Sequence, residues 1–218
     1  MVVTAEERGR LDPYSRIAES KDVPLLQKIK DLQTVVKTAK TGMLVTRDSN
    51  GNLHSRAMAP ANVEARLLAN NVSCKFEEIE NDSHVNVSFF DPSSTDWASY
   101  SGRARVTQDK ELIHQHWSMF ISGYIGNLGD GVHKGDKGDP RVAVIEIIPD
   151  EIKYWISEQS RISRTAQVAT SAVLGKATAP GELRTIRKEE VSPTYYGEIF
   201  MILNFRIQIQ LAEASTKV

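Results

Sequence analysis

The stretch TGMLVTRDSNGNLHSRAMAP, residues 41–60, decides how the fold reads. Its two short halves flank Asn50-Gly51, the dipeptide that most readily takes the positive φ angles of a tight hairpin turn. Two neighbouring antiparallel strands are therefore expected here. Upstream, Leu25, Leu26, Ile29, Leu32, Val35, Val36 and Ala39 recur at the spacing of one helix face, with Pro24 near the start and Gly42 placed as a stop. This predicts an amphipathic helix from Val23 to Gly42, lying on the core.

Downstream, Arg66 to Asn70 reads as a third strand, and a short helix through Phe76 and Ile79 follows it. In SHVNVSFFDP, residues 83–92, Val85, Val87 and Phe89 alternate onto one face, and WASYSGRARVT, residues 97–107, alternates again. Both read as strands. Asp109 is placed to cap a helix carrying Leu112, Ile113, His116, Trp117 and Phe120 on one side. Gly123 to Pro140 reads as one long glycine-rich loop. RVAVIEIIPDEIKYWIS, residues 141–157, reads as a long strand broken or bulged at Pro149. Six strands with inserted helices, and no βαβ rhythm, predict a mainly β (α+β) architecture, a six-stranded antiparallel barrel with flanking helices. The expected layout is an N-terminal arm over 1–22, the barrel domain over 23–160 and an extended or partly disordered tail over 161–218.

Composition narrows the function classes. The 218 residues, 40% of them hydrophobic, are enough for one sizeable core. With 27 basic against 28 acidic residues, the charge balance calls for neither nucleic acid nor an anionic membrane as partner. Basic groups that matter must act locally. The single Cys74 allows no internal disulfide and fits a reducing compartment. The opening MVVTAEERGR has no apolar signal core, and no stretch nears the ~20 apolar residues of a spanning helix. A cytoplasmic protein is expected.

Four adjoining stretches resemble one family in unbroken order: residues 41–60, NNVSCKFEEIENDSHVNVSF at 70–89, DWASYSGRARVTQDKELIHQHW at 96–117 and IPDEIKYWIS at 148–157. The resemblance is to the pyridoxamine 5'-phosphate oxidase-like general stress proteins, most closely their fungal blue-light-inducible members. It implies a split β-barrel, FMN as cofactor, and a homodimer with flavin at the interface. It implies no particular reaction, since one fold hosts many chemistries.

The resemblance also implies site residues. A flavin phosphate is dianionic, and without a glycine loop at a helix start it must be held by arginine, lysine and hydroxyl donors. The family's phosphate-binding positions fall on Arg56 in the second strand and on Ser73 and Lys75 after the third. Met58, two residues beyond Arg56 on the same face, resembles the position whose backbone nears the flavin ring, and a core methionine fits it equally. Asn71 sits where it could bond the ribityl chain, although Asn70-Asn71 also makes a good turn. Trp97 and Ser99 lie on the strand that in the family reaches the partner's flavin, and Trp155 belongs to the aromatic pair closing the barrel.

Other readings fall away. His114 and His116, two apart on a helix, diverge by about 200° and cannot share a metal ion. The glycines from 123 onward lack the strand-to-helix context of a dinucleotide site. Trp117 shares a helix face with Ile113, which makes packing its ordinary role. A pyridoxamine-phosphate oxidase carries R-L-H-D-R after its aromatic pair, whereas Ser160-Arg161-Ile162-Ser163-Arg164 stands here, with serine where histidine is expected. Vitamin B6 oxidation is thereby in doubt. The expected function is a flavin-dependent oxidoreductase acting on a small-molecule redox partner, with a non-catalytic flavin-binding stress or light-response protein as the alternative. Near the end, Val191 to Gln208 departs from the family and reads equally as translated intron or as a genuine apolar tail.

Overall fold

The computed structural model describes residues 3–19, 22–60, 65–157 and 161–190. Residues 61–64, most of the Ala61 to Ala65 connection that is shorter than in the resembled family, and the departure at 191–208 lie outside them. Two short helices come first, α1 (Ala5–Leu11) and α2 (Pro13–Ala18), followed by the long helix α3 (Leu25–Ala39). The strands β1 (Gly42–Arg47), β2 (Leu53–Met58) and β3 (Arg66–Asn70) follow, then helix α4 (Cys74–Asn81), β4 (His84–Phe90) and β5 (Trp97–Thr107). Helices α5 (Lys110–His116) and α6 (Met119–Ile125) lead to β6 (Val142–Ile156), helix α7 (Arg161–Val173) and β7 (Glu182–Arg187).

These strands form one antiparallel sheet in the order β2-β1-β4-β5-β6-β3, with β7 also on β6. It has the mainly β, α+β split-barrel architecture expected, and among the described residues it does not close. Strand β6 carries this arrangement. One side of it pairs with β5 along nearly its whole length, while the other pairs with β3 through Val142 to Glu146 and with β7 through Glu151 to Ile156. A bulge separates the two halves: Ser101 faces Glu151 but Gly102 faces Pro149, leaving Asp150 as the extra residue. Proline removes a ladder donor and is tolerated at such a bulge. The break read at Pro149 is therefore real, and it lets one strand serve two edges.

The core follows from the period-two pattern. Leu44, Val85, Val87, Phe89, Ala98, Tyr100 and Tyr154 point inward and are buried, with Phe89 edge-on to Tyr100 at 5.6 Å between centroids. Leu32, Val35 and Val36 of α3 cover them. A second, smaller cluster of Ile113, Ile125, Val142 and Val144 takes in Trp117, which packs there as its helical spacing predicted.

Four local expectations are corrected. Helix α3 ends on Lys40 in the left-handed region (φ 62°), not on Gly42. Gly42 opens β1 instead, where an added Cβ would stand 2.9 Å from the Phe89 ring. The helix read from Asp109 breaks at Trp117 and Ser118, so Phe120 falls on α6 and is 86% exposed. Asp109 does cap α5, accepting from the Leu112 amide at 2.9 Å. Gly123 lies inside α6, and the loop begins only at Gly126. Finally, the region after residue 160 carries α7 and a seventh strand, and Lys28 of α3 bonds the Thr185 carbonyl of β7 at 2.9 Å.

The loop before β6 is held by a buried ion pair. The Asp139 carboxylate accepts from the Gly135 amide (2.7 Å) and from the Arg141 guanidinium (2.8 and 3.0 Å), while Arg141 also donates to the Ile125 and Gly126 carbonyls. Those bonds hold the Asp139 carboxyl well below the usual carboxylate range.

Candidate functional site

Strand β2 presents Arg56 and Met58 on its inner side, opposite Leu44 and Gly42 of β1. Helix α4 packs across β1 and brings Ser73, Lys75 and Glu78 to the same end of the sheet. Ser73 is the N-cap residue of α4, yet its side chain gives the helix no cap. Its hydroxyl instead donates to the Asn70 carbonyl and accepts from Lys75 Nζ, both at 2.6 Å. The Phe76 amide closes on the Ser73 carbonyl at 3.0 Å, the Ser73 side chain caps none of the others, and that end of a helix favours an anion.

Arg56 is not loose in this site. Its Nη2 donates to the Glu78 carboxylate at 2.6 Å and its Nη1 to the Thr46 hydroxyl at 2.5 Å, while Thr46 also bonds Glu78. Thr46 is 1% exposed and Glu78 7%. Burial pushes the Glu78 carboxyl up, but the bonds from Thr46 and Arg56 and the Arg56 charge outweigh it and hold the group below its ordinary value. Lys75 is pushed down as well, which for a base disfavours the charged form. Burial lowers its pKa first, and the neighbouring Arg56 charge lowers it further. A desolvated ammonium beside a guanidinium gains most from an incoming anion.

Two arginine and lysine charges, one hydroxyl and the uncapped amides of α4 make a donor set that fits a phosphate monoester. The sequence indicated Arg56, Ser73 and Lys75, and the structure brings these three together. Glu78 and Thr46 were missed. A signal existed, since Glu78 lies three residues after Lys75 on one helix face and Thr46 is the third inward position of β1.

The remaining candidates make contacts of their own. Met58 is partly buried against the main core. The Asn71 side chain donates to the Pro140 carbonyl at 3.0 Å and its amide to the Arg141 carbonyl at 2.8 Å, so it ties the turn after β3 to the loop before β6. Ser99 accepts from the Asn86 side chain at 2.7 Å, alternating with inward Ala98 and Tyr100. Trp97 and Trp155 face each other directly across β5 and β6. Tyr14 of α2 stacks on Trp155 at 6.0 Å and 11°. Together with Arg164 they line a cleft of about 400 Å³. Arg164 donates there to the Ser94 carbonyl and, at 2.8 Å, to the Thr95 hydroxyl. Within one chain this cleft is apart from Arg56: the cross-strand row through Arg56 runs by Leu44 and Val87 to Tyr100, and Trp97 lies three residues farther along β5.

An open antiparallel split-barrel sheet, with Arg56, Ser73 and Lys75 gathered at the start of α4, defines the class of protein. The sequence pattern described as "Pyridoxamine 5'-phosphate oxidase like" matches residues 27–179. Protein bli-3 of Neurospora crassa is 38% identical over 186 residues, covering 83% of this chain and 89% of its own. The chain belongs to the pyridoxamine 5'-phosphate oxidase-like family. Among solved structures, general stress protein 26 of Jannaschia sp. CCS1 is similar over 75% of this chain and 99% of its own, with TM-score 0.56 and 15% identity. A protein related to general stress protein 26 from Clostridium acetobutylicum is similar over 76% and 98%, with TM-score 0.52 and 15% identity. At such identities these two structures speak for the fold alone. No helix among the described residues is long and apolar enough to cross a membrane.

Proposed function

We propose that this chain binds FMN through its phosphate, using Arg56, Ser73 and Lys75, and works as a homodimeric flavin-dependent oxidoreductase on a small-molecule redox partner. The observation that carries this reading is the convergence of those three donors at the uncapped start of α4. Met58 lies on the same strand face as Arg56 and would near a bound ring, and Asn71, two residues before Ser73, would stand beside the ribityl chain. Trp97 and Ser99 on β5 lie three strands over from Arg56 on β2, and Trp155 on β6 four, which suits a role against the partner subunit's flavin. The flavin, when bound, supplies the electron-accepting ring. The protein's own contribution is to hold the phosphate, orient the ring and keep water from it.

The test is the visible spectrum of the purified protein with added FMN, followed by NADH or NADPH without oxygen. A flavin spectrum that bleaches supports the reading. A colourless protein that takes up no added FMN defeats it, and flavin that never bleaches removes the oxidoreductase part.

A further inference from the structure

The phosphate site contains its own counter-anion. Arg56 would be expected to wait unpartnered for a phosphate, yet it is already bonded at 2.6 Å to Glu78, whose carboxylate is nearly buried and also held by the fully buried Thr46. His54 Nδ1 stands 3.5 Å from the same carboxylate. With Arg56 and Lys75 positive and Glu78 negative, two cations less one anion leave a single positive charge to meet a dianion. Glu78 is placed on α4 one turn from Lys75, so its charge acts on both cations. We propose that Glu78 is a positioning and affinity-setting residue: it holds the Arg56 guanidinium in place before phosphate arrives and, by its charge, keeps phosphate-bearing ligands weakly bound and exchangeable.

The inference rests on the reading that Arg56 and Lys75 receive the flavin phosphate. Two opposed effects must be weighed. Removing the carboxylate loosens Arg56, but it also removes a repulsion between close charges in a partly desolvated site, where Coulomb energies exceed those of one neutral hydrogen bond. Glutamine separates them, because its amide still accepts from Arg56 while the charge is gone. Glu78→Gln is therefore expected to bind FMN about tenfold more tightly than the parent chain.

The experiment compares the full-length parent chain with E78Q by fluorescence titration of FMN and of riboflavin, which lacks the phosphate. Inorganic phosphate is titrated separately by calorimetry. FMN and phosphate tightened with riboflavin unchanged supports the proposal. FMN unchanged or weakened in a folded E78Q overturns it, and so does equal tightening of FMN and riboflavin, which would place the effect on the ring. Should the parent bind phosphate but no flavin, the FMN reading alone fails, and the E78Q phosphate titration still decides the role of Glu78. Glu78→Met, which removes the charge and the acceptor together, is measured alongside: FMN bound more weakly than by E78Q supports the positioning role, and equal affinity in the two variants overturns it.

Discussion

At the scale of single residues the anion site makes the sharpest predictions. Arg56→Ala and Lys75→Ala each remove a charged donor, worth about 1.5–3 kcal/mol, so each should weaken FMN by roughly ten- to a hundredfold in a fluorescence titration. Retention of parent affinity by the double variant would refute the site. Arg56, Ser73 and Lys75 could be named together because the family resemblance points to them and the strand and helix signals around them are clear. Glu78 was not, because an acidic residue inside SCKFEEIEN reads as ordinary helix surface until α4 is docked against β1. Tyr154 supplies a second prediction. Its ring is fully buried, its hydroxyl donates to the Lys28 carbonyl at 2.8 Å, and burial pushes its pKa up to about 12, with Arg184 opposing. A raised folded-state pKa means that the contribution is complete below the unfolded value near 10 and is lost as pH rises through the folded one. Denaturant midpoints should therefore fall between pH 10 and 12. Tyr154→Phe should cost about 1 kcal/mol at neutral pH and flatten that alkaline decline.

At the scale of elements, the β6 bulge decides how the sheet is shared. Gly102 faces it with no room to spare: an added Cβ would fall on the Ile148 carbonyl oxygen and 2.7 Å from Pro149 Cα. Backbone cannot step aside as a flexible side chain can, so Gly102→Ala should destabilise by about 3 kcal/mol, read from denaturant unfolding. At Gly181, just before β7, an added Cβ would stand 2.7 Å from the Ile156 carbonyl oxygen and 2.8 Å from the Trp155 ring. Gly181→Ala should loosen the β7 edge and change the fluorescence of Trp155. The strands themselves were readable, since alternation assigned Val85, Val87 and Phe89 to one face and the structure buries all three. Helix ends were less so. Lys40 rather than glycine takes the left-handed turn after α3, and α5 and α6 divide where one apolar stripe had suggested a single helix. Local spacing reports which face is apolar, but the neighbouring sheet decides where a helix must stop.

At the scale of the whole molecule, the cleft of Tyr14, Trp97 and Trp155 lies apart from the Arg56 end, and the proposed homodimer is the arrangement that reunites them around one flavin. Sedimentation equilibrium should then return twice the 24.3 kDa chain mass. A monomer that nevertheless binds FMN fully would remove the partner's share of the site. The sequence by itself determined the order of the first six strands along the chain, the bulge at Pro149 and the family. These are local matters: side-chain alternation, turn chemistry and short motifs in unbroken order are all written within a few residues. Only the tertiary structure decided that β6 serves β3 and β7 in turn, that residues 182–187 complete the sheet, and that Glu78 reaches back to Arg56. Those facts join residues from 22 to more than 30 positions apart, and their partners are chosen by packing and charge in three dimensions, not by spacing.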